Sequence, residues 1–159
     1  MNQTLVHVVR HADAGDPTRW RGPDLTRPLS PGGNRQSVRL VELFSDVPFT
    51  HLLSSPHLRC TETFDTLAAA RGLSIETRDE LAEGEPWEFL QKVVLESEGE
   101  GPTAICVHGE ALRALMQDVF DAGVVRIDRG NFHKGSTWVL GVRDGAIASA
   151  RHVAAPSAE

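Results

Sequence analysis

Apolar residues along this chain fall into short β-branched runs separated by stretches with helical spacing. Leu5, Val6, Val8 and Val9 predict a buried strand over residues 4–9. A polar loop with Gly and Pro, ADAGDPTRWRGPDLTRPL, comes next and is long for a compact domain. Ser30-Pro31 reads as an N-cap and first-turn proline. Val38, Leu40, Val41 and Phe44 then form the apolar stripe of a helix ending near Ser45. Phe49, Leu52 and Leu53 mark a second strand, closed by Ser54-Ser55-Pro56. Leu58, Phe64, Leu67 and Ala68 line the next helix, with Gly72 just past its end. Ile75 marks a third strand, and Trp87, Leu90, Val93 and Val94 a helix ended by Gly99 and Gly101. Residues 103–107 are a near-continuous apolar strand, and Leu112, Leu115, Met116, Val119 and Phe120 fit one face of a helix. Asp144-Gly145 between residues 137–142 and 146–153 predicts a hairpin, and 154–159 read as a frayed tail.

Strands alternate with helices through most of the chain. That order predicts an α/β fold: a three-layer α/β/α sandwich with a mostly parallel central sheet and a C-terminal hairpin. With no linker or repeat, residues 1–159 read as a single domain. The net charge of -6 gives no general attraction to nucleic acid, so an anion site has to come from a local cluster of cations. Cys60 and Cys106 are too few for a disulfide framework and lack zinc spacing. His51, His57, His133 and His152 share no metal-ligand spacing, so neither metal nor cofactor is expected. The N-terminus lacks the apolar stretch of a signal peptide, and no run approaches the about 20 apolar residues of a membrane span. A cytoplasmic protein without membrane or nucleic-acid partners is expected.

Ligands of open α/β sheets bind beyond the carboxyl ends of the strands. Arg10 and His11 come just after the first predicted strand, Arg59 opens the helix after the second, and His108 succeeds the 103–107 strand. Each alone is an ordinary loop residue. Together, two arginines, two histidines and nearby helix N-termini form a site for a dianion such as a phosphoryl group.

The segments VVRHA (8–12), RPLSPGG (27–33), SSPHLRCTET (54–63) and VHGEAL (107–112) occur in an order that resembles the histidine phosphatase, or phosphoglycerate-mutase-like, superfamily. The short chain and Arg27-Pro28-Leu29-Ser30 look most like the small phosphohistidine phosphatases of the SixA type. The resemblance implies a metal-independent phosphatase in which His11 attacks phosphorus, carries the phosphoryl group and yields it to water. It casts Arg10, Arg59 and His108 as holders of the phosphoryl oxygens. Cations around His11 would keep its ring neutral, with the second ring nitrogen held by an acceptor such as a backbone carbonyl.

The family's leaving-group acid falls in DELAEGEPWEF, where Glu83 is the choice and Glu80 and Glu85 are alternatives. A solvated acidic loop is the competing reading of that segment. Arg27 either reaches the phosphate or anchors the loop. The substrate is expected to be a phosphorylated small molecule or a phosphoprotein. A mutase would need the Ser/Thr and Asn found after the Arg-His pair in that branch, and Asp13 and Asp16 stand there instead. Ala12 replaces the usual glycine without removing a chemical group. A phosphoryl-binding module without turnover would have no need of His11. His7 is expected to pack locally, the cysteines to be buried, and Trp20 to fold onto its loop. Asn131, Phe132 and His133 are candidates for the cleft rim.

Overall fold

The unbroken apolar run TAICV can be a strand only if both of its faces are covered, and that requirement sets the layers. The computed structural model describes residues 2–124 and 132–159. Its strands are β1 (Thr4–Arg10), β2 (His51–Ser54), β3 (Ile75–Thr77), β4 (Thr103–Val107), β5 (Thr137–Arg143) and β6 (Ala146–Val153). They form one sheet in the order β3-β2-β4-β1-β5-β6. β3, β2, β4 and β1 run parallel, and β5 and β6 are antiparallel additions. The helices are α1 (Pro31–Leu43), α2 (Leu58–Arg71), α3 (Trp87–Glu96) and α4 (Gly109–Asp121). The expected three-layer architecture is the observed one. No helix among the described residues is long and apolar enough to cross a membrane.

Side chains alternate along each strand, and the two sets feed two cores. Val6, Val8, Leu53, Ile105 and Val107 pack with Leu90, Val93 and Val94 of α3 and Leu112, Leu115 and Met116 of α4. Val9, Leu52, Ala104 and Cys106 face the other way, onto Leu40 of α1 and Cys60, Phe64 and Leu67 of α2. His7 belongs to this second side, edge-on to Phe44 and Phe49 at 5.2 and 5.0 Å. The hairpin turn places both Asp144 and Gly145 at positive φ, the twist that suits a two-residue connection.

Residues 154–159, expected to fray, lie along α1 instead. The carbonyls of Pro156, Ser157 and Ala158 accept hydrogen bonds from Gln36, Arg39 and Arg35 respectively. Phe132 packs against the α3/α4 core, while Asn131 lies outside the described residues.

The N-terminus of α1 is docked onto the segment after β1. Ser30 caps the helix by accepting from the Gly33 N–H at 3.0 Å. Its own N–H donates to the Asp13 carbonyl at 2.9 Å, and its hydroxyl donates to the Asp13 carboxylate at 2.5 Å. Gly33 is needed for this approach, because a Cβ there would sit 1.9 Å from the Asp13 carbonyl oxygen. At Gly32 a Cβ would come 3.0 Å from the Ala158 carbonyl oxygen and 3.7 Å from Ser30 Oγ.

Gly33→Ala should therefore cost about 2 kcal/mol and lower the melting temperature by about 4–8 °C. Gly32→Ala, which gains helix propensity and needs its neighbour to give by only a few tenths of an ångström, should change it by less than half as much. Thermal denaturation of the two variants checks this, and equal shifts would contradict it.

Candidate functional site

The carboxyl ends of β1, β2 and β4 adjoin, and each delivers a site residue. The His11 N–H continues the ladder to the Val107 carbonyl at 3.0 Å. Just beyond, the Ala12 N–H donates to Thr63 Oγ1 of α2 at 3.0 Å, and the Asp13 N–H donates to Gln36 Oε1 of α1 at 2.9 Å. Both helices on one face thus fix the backbone around His11. The residue is 95% buried, and its Nδ1 lies 2.8 Å from the Ala12 carbonyl oxygen. A carbonyl can only accept, so Nδ1 carries the proton and Nε2 keeps its lone pair.

Arg10 donates through Nη1 to the Phe132 carbonyl at 2.6 Å, while its buried Nε meets no acceptor among the described residues. Its guanidinium rests on Gly109, where a Cβ would come within 2.8 Å of Arg10 Cζ. The glycine after His108 is therefore a seat for Arg10. Arg59 is wholly buried. It donates to the Asp24 carbonyl at 3.1 Å, to the Asp24 carboxylate at 3.0 Å and, by a short bond, to the Glu83 carboxylate. Its Nε, like that of Arg10, has no acceptor among the described residues. Buried N–H groups left this way cost about 1–3 kcal/mol each, and an anion's oxygens would satisfy them.

His108 lies 5.5 Å from His11, ring centre to ring centre, and 4.8 Å from His57. Its Nε2 is 2.8 Å from Ser55 Oγ, and its Nδ1 has no partner among the described residues. The structure brings Arg10, His11, Arg59 and His108 together at one edge of the sheet. Of the three candidate carboxylates, only Glu83 touches them. Glu80 is held 2.9 Å from Arg78, while Glu85 makes no side-chain ion pair among the described residues. Arg27 is buried, with bonds to Asp24 at 3.1 Å and the Ala14 carbonyl at 2.8 Å. These contacts are those of a loop anchor.

The sequence reading does not single out Asp24, and it weighs His57 only as a metal ligand and sets it aside. Asp24 bridges Arg27 and Arg59 and lies 3.7 Å from His57. His57 accepts the Glu83 backbone N–H on Nε2 at 3.3 Å. The one available signal was that His57 lies two residues before Arg59 in the SSPHLR segment. One ligand atom each from Asp24, His57 and Glu83 falls within 4.8 Å of the others, a spacing compatible with a metal ion. The Arg59 guanidinium already bridges the two carboxylates and supplies their cation.

The family model for the histidine phosphatase superfamily (branch 1) matches residues 6–92. An 8-oxo-(d)GTP phosphatase of Mycolicibacterium smegmatis is 32% identical over 155 residues, 95% of this chain and 48% of that protein. The chain thus spans about half the length of this curated relative. Among solved structures, the protein histidine phosphatase SixA complexed with tungstate superposes with a TM-score of 0.76 at 18% identity, covering 98% of this chain and 97% of that one. A SixA-type protein of Agrobacterium tumefaciens, described as a putative phosphohistidine phosphatase, gives 0.68 at 21% identity, with 89% and 93% covered.

Burial is the main reason that the site histidines resist protonation. His11 is taken down to about 3 by desolvation, with Arg59, Arg10 and Lys134 adding to the effect and the Ala12 carbonyl opposing it. His108 is taken down to about 2 by burial and then by His11, Arg59 and His57. His7, in the second core, falls to about 4 through burial and Arg151. At Asp24, burial pushes upward, but bonds from Arg27 and Arg59 prevail and take it down to about 2. All three histidines bind protons near pH 6.5 once unfolded. Their contribution to stability is whole above that pH and is lost as pH falls toward the native values, whereas Asp24's own loss begins only below about 4. Stability should therefore drop between pH 6.5 and 4, with a slope approaching about 4 kcal/mol per pH unit near pH 5. His57 is also held below its ordinary value, by burial and then Arg59, so urea denaturation across this range, repeated with His108→Asn, should show a smaller slope in the variant. A flat profile down to pH 4 would contradict the neutral, buried histidines.

Proposed function

This chain belongs to the histidine phosphatase superfamily, and we propose that it is a phosphatase that carries the phosphoryl group on His11 before passing it to water. The observation that carries this reading is the Nδ1–H bond from His11 to Ala12, which leaves Nε2 unprotonated beside buried cations. In the first step the Nε2 lone pair attacks phosphorus as the bond to the leaving oxygen breaks. Arg10, Arg59 and His108 meet the phosphoryl oxygens, so that the charge of the transition state falls on fixed donors. Arg59 exchanges its carboxylate bonds for phosphoryl oxygens as the substrate enters. Glu83, released from Arg59, takes the proton that the monoanionic substrate carries and relays it to the leaving oxygen. In the second step water attacks phosphorus, Glu83 takes up its proton and returns it to the departing phosphate, and the P–N bond breaks to restore His11.

The substrates we propose are phosphorylated small molecules or proteins bearing phosphohistidine. The names of the relatives support both classes, an 8-oxo-(d)GTP phosphatase for the first and SixA for the second. Arg27 acts at one remove, by holding Asp24 against Arg59.

His11→Ala should lower phosphate release from a small phosphomonoester by about 1,000-fold or more. Activity equal to that of the parent would overturn the assignment of the nucleophile. Glu83→Gln should slow alkyl phosphates about 100-fold while slowing phosphohistidine far less, since a departing imidazole needs less help from an acid. Equal slowing of both substrates, measured as kcat/KM, would remove Glu83 from that role.

A further inference from the structure

His108 and Glu83 also line a cavity of about 230 Å³ on the side of the site away from Arg10. Its wall is apolar, built from Pro86 and Trp87 at the start of α3 and from Ala111 and Ala114 of α4. Two further carboxylates, Glu85 and Glu110, also line it, and neither makes a side-chain hydrogen bond or ion pair among the described residues. No lysine or arginine lines this cavity. The contrast lies on the other side, where a cavity of about 490 Å³ borders Arg10, His133 and Lys134 and includes neither His108 nor Glu83.

On the reading of Glu83 as the leaving-group acid, the group it protonates occupies the cavity Glu83 lines. We infer that this cavity selects the leaving group by charge, with Glu85 and Glu110 as specificity-determining residues that favour cationic or uncharged leaving groups with an apolar body and disfavour anionic ones. Two unpaired carboxylates beside a low-dielectric wall repel a leaving group that carries its own negative charge. A diphosphate leaving group, as a nucleoside triphosphate would present, is therefore a poor fit. A protonated amine or a neutral ring stacked on Trp87 is a good one. The carboxylates are exposed, so the preference weakens with salt.

Three para-substituted phenyl phosphates isolate charge from leaving-group strength: the aminoethyl, ethyl and carboxyethyl compounds share similar phenol basicity and size. At low ionic strength kcat/KM should fall from ammonium to ethyl to carboxylate, with about tenfold between the extremes. In 0.5 M salt that ratio should shrink several-fold. It should collapse toward one in Glu85→Gln/Glu110→Gln, with Glu85→Gln alone as a check should the double variant fold poorly. Equal rates at low salt, or a preference that survives both neutralisations, would overturn the inference and leave the phosphatase reading intact. Fastest turnover of the carboxylate would also overturn it, and would place the leaving group in the cavity beside Lys134. Hydrolysis of none of the three would overturn this inference, and failure to release phosphate from phosphohistidine as well would overturn the phosphatase reading.

Discussion

A guanidinium taken fully out of water has to be met by acceptors, and at Arg59 that demand organises the whole site. Removing the partners of such a charge costs about 3–5 kcal/mol. Here the partners come from far along the chain: Asp24 from the loop after β1, and Glu83 from the loop before α3. Arg59 thus ties two loops to the first turn of α2. His57, two residues earlier, braces the same pair through Asp24 and the Glu83 backbone. The pairing also has a chemical sense. On the proposed function, the carboxylates hold the place that phosphoryl oxygens would take, and an entering dianion would exchange one set of acceptors for another.

His11 depends on this frame as much as Arg59 does. Thr63 and Gln36 fix the backbone on its C-terminal side, and Val107 fixes it on the strand side. That rigidity lets a single carbonyl, that of Ala12, decide which ring nitrogen carries the proton. Burial is then the main influence keeping the ring neutral. The nearby arginines contribute less than burial does, which reverses the weighting that the count of cations alone implies. Gly109 plays a smaller part in the same design, because its missing side chain is what lets the Arg10 guanidinium approach the first turn of α4.

Position after a strand was legible in the sequence. The periodicity of the apolar residues located each strand end, and those ends pointed to Arg10, His11, Arg59 and His108. Asp24 was out of reach because its partner lies 35 residues away and its loop has no periodic pattern. The choice among Glu80, Glu83 and Glu85 needed space rather than sequence, since Arg78 draws one of them aside. The C-terminal residues looked frayed because they have no apolar stripe. They are held by backbone carbonyls instead, which every residue type presents alike. Arg27 read equally as ligand or anchor, and only its burial against Asp24 and Ala14 separates the two roles.

The central claim is that Nε2 of His11 is the atom that receives the phosphoryl group, because Nδ1 is committed to Ala12. The most direct measurement is to trap the enzyme during turnover of a phosphomonoester, denature it in base, and identify the phosphorylated atom by phosphorus–nitrogen coupling in protein labelled at the histidine ring nitrogens. The predicted product is a phosphoramidate on His11 at Nε2. Phosphate on Nδ1, on another residue, or on no residue while turnover proceeds would contradict it.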